Sequence, residues 1–225
     1  MPSSGDARPA AIQEQAKQAV LLADEYGILR RPAETAAEFD VSGEKALVSG
    51  TEHWVDFDDT RRLVIKITRP PGFGLIPYVR SSPIIDLRNP GAAPVMRETV
   101  EFTVATPLEY LERWLDANEL FSDNVRLVSV IQWGNGQVSF SITQPQYHGV
   151  PAHPQAITDF FLRAGWTSIP NQGGHSIFYN YNWQVLAIDV EPRNCYFNQG
   201  YLLPFDPILH RPGEALKDHL GLYPG

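Results

Sequence analysis

The residues most suited to catalysis or metal binding lie near the carboxyl end of the sequence, in the stretch from 187 to 208. Asp189 opens the segment D-V-E-P-R-N, which ends at Asn194. A short hairpin pattern, C-Y-F-N-Q-G-Y-L-L, follows and leads to a second carboxylate, Asp206. Carboxylate and amide oxygens are the ligands that hard cations such as Mg²⁺ prefer. The stretch therefore predicts an oxygen-rich cation site in which one carboxylate is left to orient a nucleophile.

The composition is typical of a globular protein with one medium domain or two small lobes. The chain has 225 residues, of which 43% are hydrophobic and 20% are charged, which is enough to bury a sizeable core. Nineteen prolines and seventeen glycines favour many turns over a helical bundle. The net charge of −8 argues against nucleic acid or an anionic membrane surface as a partner.

The single cysteine and the absence of long apolar runs further limit the kinds of site and of protein that this sequence fits. Cys195 alone can form neither an intramolecular disulfide nor a cysteine-based zinc site. Its place on a predicted strand favours a buried thiol over a nucleophile. The amino terminus lacks a signal-peptide pattern, and no apolar run approaches the roughly 18 residues that span a membrane. We therefore expect a cytoplasmic location and no membrane partner.

The histidines and aromatic residues give weaker indications. The six histidines fall mostly in predicted loops and form no HExxH motif. His148 and His153 share a proline-bearing loop, so a zinc site there is a minor alternative. The tryptophans and tyrosines are interpreted as core and cleft walls rather than as a base-stacking platform, because the chain is acidic.

The amino-terminal part predicts a helix followed by a hairpin. Apolar residues at helical spacing predict a helix with one buried stripe over residues 10–29; they are Ile12, Ala16, Ala19, Val20 and Ala23. A polar connection, irregular or weakly helical, follows over 31–45. Val55 and Phe57, the turn at 58–60 and the run L-V-I-K-I-T over 63–68 then predict two paired strands.

Lys66 is the unusual member of this hairpin. Alternation along the second strand places Val64, Lys66 and Thr68 on one face and Leu63, Ile65 and Ile67 on the other. One interpretation is an edge strand with a solvated lysine. The alternative is a lysine that reaches an anionic ligand inside a cleft, beneath a turn at residues 50–53.

Residues 69–105 are rich in proline and glycine and are interpreted as an insertion with one or two short strands, in which F-G-L-I-P-Y is either a surface loop or a lid. A strong helix start follows, with Thr106 as the cap, Pro107 at the first position and Glu109 three residues after the cap. The helix should reach about residue 120 and present Leu108, Leu111, Glu112 and Leu115 on one face. A glutamate within an apolar stripe needs a cation partner, although a solvated glutamate at a helix edge is the alternative.

The rest of the sequence predicts alternating hairpins and helices. The predicted elements are strands at 125–132 and 137–143 around the turn 134–136, a helix at 154–164, a loop at 165–176, strands at 177–179 and 183–188, the hairpin described above, and a helix at 212–220. The proline-bearing connector after Thr143 places a boundary near residue 145. This gives residues 1–45 as a helix and linker, 46–145 as a first lobe with an insertion at 69–105, and 146–225 as a second lobe.

In this order, the sequence resembles the protein-kinase-like fold. Asp189 and Asn194 match the spacing of the kinase catalytic loop, Asp206 matches its metal-binding aspartate, and Val64-Ile65-Lys66 is similar to the kinase V-A-I-K strand. The stretches G-T-E-H-W-V, L-V-I-K-I-T, A-T-P-L-E-Y-L-E-R-W-L-D-A-N-E-L-F, S-I-T-Q-P-Q-Y-H-G and I-D-V-E-P-R-N resemble the kinase-like domains of polyvalent proteins from phages and conjugative elements. The resemblance implies an α+β, protein-kinase-like two-lobe fold, with an antiparallel sheet in the first lobe and a reduced second lobe.

The resemblance also implies roles for individual residues. Lys66 would hold the α- and β-phosphates of ATP and pair with Glu112, and Asp189 would orient or deprotonate an acceptor hydroxyl. Asn194 and Asp206 would hold Mg²⁺ on the nucleotide. The phosphate-covering turn would contain Gly50, and the adenine slot would be lined by Val55, Val64 and a hinge at 142–148 that includes Gln144.

Three functional interpretations follow. The first is an ATP- and Mg²⁺-dependent phosphotransferase, or a nucleotidyltransferase, acting on an unknown protein or small-molecule acceptor. The second is a catalytically inactive kinase-like domain that binds a nucleotide or a protein. The third is an unrelated α+β protein in which D-x-x-P-x-N occurs by chance. Ala187-Ile188 and Pro207-Ile208 replace the His-Arg and Phe-Gly of protein kinases. Nineteen residues follow Asp206 in this sequence, so we expect no long activation segment.

Overall fold

The computed structural model describes residues 7–41, 48–84, 88, 91, 93–172 and 174–223. The fold is mixed α+β, with sheets that are mainly antiparallel. In chain order the elements are α1 (Ala7–Glu25), β1 (Leu29–Arg30), α2 (Ala36–Val41), β2 (Val48–Ser49), β3 (His53–Asp58), β4 (Leu63–Thr68), β5 (Leu75–Ile84), β6 (Val95–Val104), α3 (Pro107–Phe121), β7 (Arg126–Gln132), β8 (Val138–Pro145), β9 (Val150–Pro151), α4 (Pro154–Arg163), β10 (Thr167–Gln172), β11 (His175–Asn180), β12 (Val185–Ile188), a 3₁₀ turn (Pro192–Asn194), β13 (Cys195–Asn198), β14 (Tyr201–Pro204), β15 (Ile208–His210) and α5 (Glu214–Leu220).

The chain divides into two compact units. The first contains Met1–Leu75 and Val104–Tyr147, and the second contains Ile76–Thr103 and His148–Gly225. The sequence placed the boundary near residue 145, close to this division. It also placed the insertion at 69–105 in the first lobe, whereas residues 76–103 group with the second unit.

The first unit is built on a six-stranded sheet in the order β1-β7-β8-β4-β3-β2. Its central strand β4 pairs with β3 on one side and with β8 on the other. One face of the sheet contacts α3, because His53 bonds to Tyr110 and the ammonium of Lys66 lies over the ring of Trp114. The opposite face carries a cluster of Ala36, Trp54, Ile131 and Trp133, with Phe39 and Ile67 packed against it. Side chains on both faces of β4 are therefore covered.

Helix α3 forms where the capping residues predict it. The Thr106 side chain accepts a hydrogen bond from the Glu109 backbone, and the Glu109 carboxylate accepts one from the Thr106 backbone. This reciprocal box fixes the first turn. Arg8 of α1 adds an ion pair to Glu109 at 2.8 Å, so the start of α3 is also tied to the amino-terminal helix.

The second unit contains a four-stranded sheet in the order β10-β11-β12-β15 and a three-stranded sheet in the order β14-β13-β9. The sequence predicts one apolar stripe on α4, formed by Ile157, Phe160, Phe161 and Ala164. Ile157 and Phe161 are buried, whereas Phe160 is half-buried and Ala164 is exposed. The ring of Phe161 stacks on Phe178 of β11, with ring centroids 4.5 Å apart. The sequence interpreted residues 165–176 as a loop, and this was wrong for β10, which pairs with β11 as an edge strand.

The strands β5 and β6 form a separate two-stranded sheet. Each is ten residues long, whereas the sequence predicted one or two short strands in this region. Tyr78 of β5 donates a hydrogen bond to Glu101 of β6, and Phe102 of β6 contacts His175 edge-on. Within the described residues, no helix has both the length and the apolar character needed to cross a membrane.

Candidate functional site

Lys66 is buried on an interior strand of the first unit. It is 5% exposed, and β4 has a neighbouring strand on each side, so the interpretation as a solvated edge-strand lysine is excluded. Its Nζ lies 4.9 Å from the ring centroid of Trp114, where the indole face attracts the ammonium electrostatically. The alternation predicted for β4 is also present, since Lys66 and Thr68 are the buried pair.

The residues predicted to surround a nucleotide share one face of this sheet. Val55 lies directly opposite Lys66 on β3, and Gln144 lies directly opposite Val64 on β8. Partners across an antiparallel pair project to the same side, as do residues two apart in a strand. Val55, Val64, Lys66 and Gln144 therefore project to the same face. Gly50 forms the tight turn before β3, where its amide donates to the carbonyl of His53 at 3.0 Å.

Glu112 does not take the position that the sequence predicted. It is exposed, as are Leu108 and Leu115 of the same predicted stripe. The buried face of α3 carries Tyr110, Arg113, Trp114 and Ala117 instead. Glu112 and Trp114 are two positions apart, so they lie on opposite sides of the helix. Because Lys66 approaches the side of Trp114, the predicted pairing of Lys66 with Glu112 is wrong.

The aromatic residues of α3 explain why a different face of the helix is buried from the one that the sequence predicts. Tyr110 and Trp114 bury more apolar surface than leucines do, and the Tyr110 hydroxyl also bonds to His53 Nε2 at 2.9 Å. Arg113 on the same side forms a 2.6 Å ion pair with Glu52. A buried carboxylate, Asp116, lies on this helix too, and no role was predicted for it.

The predicted hinge around Gln144 is held by a buried carboxylate. Gln144 Nε2 donates to both oxygens of Asp123, at 3.0 and 2.8 Å, and the hydroxyl of Tyr147 also donates to Asp123. Burial, followed by the neighbouring Asp123, raises the pKa of Tyr147 well above its usual range. The Gln144 side chain is therefore committed to Asp123, so a role in nucleotide binding would fall to the backbone of this segment.

In the second unit, Asp189 follows β12 directly and is held by three side chains. Its Oδ1 accepts from Arg193 at 2.5 Å and lies 3.1 Å from His175 Nδ1, while its Oδ2 accepts from Asn194 at 2.8 Å. Its φ is 60°, a left-handed conformation that non-glycine residues adopt rarely and that recurs at functional sites. The side chain is 18% exposed, so a substrate can reach it.

Asn194 connects the two ends of this loop. Its Nδ2 donates to the Asp189 backbone carbonyl as well as to the carboxylate, both at 2.8 Å. Because the amide nitrogen is committed to Asp189, Oδ1 is directed away from that carboxylate. An amide oxygen oriented in this way fits the ligand preference of Mg²⁺.

Asp206 lies at the same end of the sheet as Asp189. Ile188 pairs with Ile208 in the antiparallel pair of β12 and β15, so the residue after β12 and the residues before β15 meet at one edge. The Phe205 amide donates to the Asn194 carbonyl at 3.0 Å, which ties the segment before Asp206 to the loop. The predicted hairpin between Asn194 and Asp206 is present as β13 and β14. The backbone segments that carry the sequence-predicted oxygen donors Asp189, Asn194 and Asp206 thus meet at one edge of the sheet.

The sequence missed three residues of this cluster: His175, Glu191 and Arg193. His175 Nδ1 lies 3.8 Å from Glu191 Oε1, and Arg193 lies 3.4 Å from Glu191 Oε2. The register of the hairpin is what would have identified His175. Ile177 pairs with Ile188, and the same register continued by two residues places His175 opposite Val190, between Asp189 and Glu191. Glu191 and Arg193 stand within the D-V-E-P-R-N motif itself.

Cys195 is a structural thiol at the start of β13. It is fully buried, and burial, followed by the nearby charge of Asp189, raises its pKa to about 12. It is therefore a neutral thiol at physiological pH, in agreement with the expectation of a buried cysteine.

The motifs that resemble a kinase-like domain thus have different outcomes. The D-x-x-P-x-N loop and Asp206 lie together, and Lys66 shares a sheet face with Val55 and Val64. The Glu112 pairing is not formed. Comparison of the chain with protein-family models, with curated proteins and with solved structures gave no match.

Proposed function

We propose that this protein is an ATP- and Mg²⁺-dependent phosphotransferase that acts on an acceptor hydroxyl, with a protein-kinase-like arrangement of elements. The observation that carries the proposal is the loop from Asp189 to Asn194. In it a reachable carboxylate is held by a side-chain amide from the same loop. Phosphoryl transfer depends on positioning and charge neutralisation rather than on covalent chemistry, and the held carboxylate supports a positioning role for this loop.

Asp189 would orient the acceptor. Its carboxylate accepts hydrogen bonds from Arg193 and Asn194, so it is fixed in direction. An acceptor hydroxyl that donates to this carboxylate would have its oxygen directed towards the γ-phosphate. Its proton would pass to Asp189 as the new P–O bond forms, while the bond from the γ-phosphorus to the β,γ-bridging oxygen breaks and ADP leaves.

Two groups would manage the charge of the nucleotide. Mg²⁺ held by Asn194 Oδ1 and Asp206 would neutralise charge on the phosphate oxygens. Within the first unit, the burial of Lys66 on the face shared with Val55 and Val64 supports a role for this lysine in binding phosphate oxygens. Glu112 has no part in this proposal because it is exposed on the far side of α3.

A second candidate is nucleotide binding without transfer. One observation favours it: Arg193 already forms an ion pair with Asp189. In this case Lys66 and the magnesium ligands would bind the nucleotide, while Asp189 would remain occupied by Arg193.

The test combines nucleotide binding with phosphate transfer. We expect millimolar Mg²⁺-ATP to raise the melting temperature of the wild type and of Asp189→Ala, but not of Lys66→Met. Radiolabel from [γ-³²P]ATP should be transferred by the wild type to an acceptor, with autophosphorylation as the first readout. Asp189→Ala should lower the rate by about 10²- to 10⁴-fold, the usual contribution of a positioned acid–base group.

Two exposed positions provide matched controls. Asp159→Ala on α4 and Lys17→Met on α1 remove the same charges from exposed sites, and both should behave like the wild type. No melting shift of the wild type at millimolar nucleotide would overturn both candidates. A shift without any labelling, against added hydroxyl acceptors as well as against the protein itself, would support the binding module.

A further inference from the structure

A second constellation overlaps the phosphotransferase loop and has different chemistry. His175 stands at the start of β11, while Asp189 and Glu191 follow β12. One ligand atom from each of these residues lies within 4.8 Å of the other two. His175 Nδ1 is 3.1 Å from Asp189 Oδ1 and 3.8 Å from Glu191 Oε1. All three side chains are partly buried, so they are reachable but not fully solvated.

The spacing of these atoms suits ligands that share one metal ion. With metal–ligand distances of about 2.0–2.2 Å, neighbouring ligand atoms lie roughly 3 Å apart and opposite ones roughly 4.3 Å apart. The observed 3.1 and 3.8 Å fall within that range. The imidazole orientation is also constrained, because Phe102 packs edge-on against His175 with ring centroids 5.2 Å apart. Preoriented ligands of this kind lower the cost of binding.

The donor set differs from that of the nucleotide-associated cation. One imidazole nitrogen with two carboxylate oxygens favours divalent first-row transition metals, whereas Mg²⁺ favours oxygen ligands alone. The predicted magnesium ligands, Asn194 and Asp206, contribute only oxygen atoms.

The cluster already contains a replaceable cation. Arg193 contacts Asp189 Oδ1 at 2.5 Å and Glu191 Oε2 at 3.4 Å, and its side chain is 63% exposed. A guanidinium on a long, exposed side chain can move into solvent at small cost. It places positive charge beside both carboxylates, where it would compete with a metal ion for Asp189 Oδ1.

We propose that His175, Asp189 and Glu191 form a binding site for a divalent transition metal of the Mn²⁺ or Zn²⁺ class, and that Arg193, which contacts Asp189 in the metal-free protein, competes with the metal for that carboxylate. The metal binds through His175 Nδ1 and one oxygen from each carboxylate, with solvent completing its coordination. Metal binding requires that Arg193 leaves Asp189. The site shares Asp189 with the proposed phosphotransferase, so occupancy removes that carboxylate from the acceptor.

A titration of the 225-residue chain with Mn²⁺ in the absence of nucleotide tests this site. Binding is measured as the loss of the EPR signal of free Mn²⁺. We expect one bound Mn²⁺ per chain in the wild type. His175→Ala should weaken binding by at least tenfold. Arg193→Ala should strengthen it several-fold, because the competing cation is gone. His153→Ala, an exposed histidine elsewhere in the same unit, should leave the affinity unchanged.

The opposite signs of the two main variants keep the test decisive. A misfolded His175→Ala protein would also lose metal, but a gain of affinity in Arg193→Ala cannot arise from misfolding. Wild-type affinity in His175→Ala, or no gain in Arg193→Ala, would overturn the proposal. Equal weakening by His153→Ala would also overturn it, because binding would then depend on general surface charge.

The outcome is distinguishable from that of the proposed function. Mn²⁺ binding is measured without ATP, so it can succeed when transfer fails. If transfer is found, Zn²⁺ added at saturating Mg²⁺-ATP should inhibit the wild type more strongly than His175→Ala. Equal inhibition of the two proteins would exclude the predicted competition for Asp189.

Discussion

The two units hold their functional charges in contrasting environments. In the first unit, Lys66 and Arg113 are 5% and 3% exposed and both lie over the ring of Trp114. In the second unit, Asp189 and Arg193 lie at the end of a strand, and the arginine is largely exposed. Charges in the interior are fixed by packing, and their removal leaves a partner unpaired. Charges at a sheet edge are held by a few hydrogen bonds, which substrates and ions can replace.

The largest expected effect is that of breaking a buried ion pair rather than an exposed one. Arg113→Met leaves the Glu52 carboxylate without its 2.6 Å partner and should lower the free energy of unfolding by about 3–5 kcal/mol. Arg193→Met in the second unit removes an exposed partner and should cost less than about 1 kcal/mol. Urea unfolding of both variants measures the difference.

The double variant Glu52→Gln/Arg113→Met provides the control for this pair. Because it removes both charges together, it should be less destabilised than the sum of the single variants. Similar losses for Arg113→Met and Arg193→Met would show that the two units do not differ in this way.

Helix α3 of the first unit and helix α4 of the second provide a further comparison, in which buried and exposed positions are expected to differ in stability. Tyr110→Ala on α3 and Phe161→Ala on α4 remove rings that are at most 1% exposed, and each should cost about 3–5 kcal/mol. Leu115→Ala, at a position that is 65% exposed, should change stability by less than about 0.5 kcal/mol. Thermal or urea unfolding measures all three. A large loss in Leu115→Ala would restore the apolar face that the sequence predicted for α3.

These helices show which parts of the fold can be predicted from the sequence. On α4 one apolar stripe stands alone, and Ile157 and Phe161 are buried as predicted. On α3 two faces compete, one with leucines and one with Tyr110 and Trp114. The aromatic face is buried because it also bonds to His53 and covers Lys66. Those contacts are distant in sequence, so the local pattern does not contain them.

The strands and the candidate site follow the same rule. The hairpins that carry Lys66 and join Asn194 to Asp206 are defined by short turns, and both were predicted. Strand β10 was missed because Pro170 and the absence of alternation hide it, although an edge strand tolerates proline. Asp189, Asn194 and Asp206 were found because their motif is local. His175 depends on the register between β11 and β12 and was overlooked.

A smaller effect is expected at the helix caps of the two units. Thr106→Ala removes the side-chain half of a complete capping box and should cost about 1 kcal/mol. His153 caps α4 through a single bond of 3.2 Å from the Gln155 amide, so His153→Ala should cost less. Chemical unfolding of the two variants tests the order, and a larger loss in His153→Ala would reverse it.

The smallest expected effect concerns the strand beneath the site loop. Cys195 follows Asn194 directly, yet it is fully buried, and burial raises its pKa to about 12. The thiol is therefore neutral at pH 8, and native protein should react with a thiol reagent at the slow rate of unfolding. The raised pKa also predicts stability that is present below the unfolded-state pKa of about 8.5. This contribution is lost as the pH rises towards 12.

The reaction rate decides how far the exposed character of the second unit extends. If the contacts of the Asp189–Asn194 loop can open while strand β13 stays rigid, labelling of Cys195 at pH 8 should be much slower in the native protein than in urea. Arg193→Ala should then not accelerate the labelling. Fast labelling of the native wild type would show that opening of the loop also exposes β13. The two units would then differ in backbone rigidity, because the charged residues of the second unit would lie beside a mobile strand rather than a fixed one.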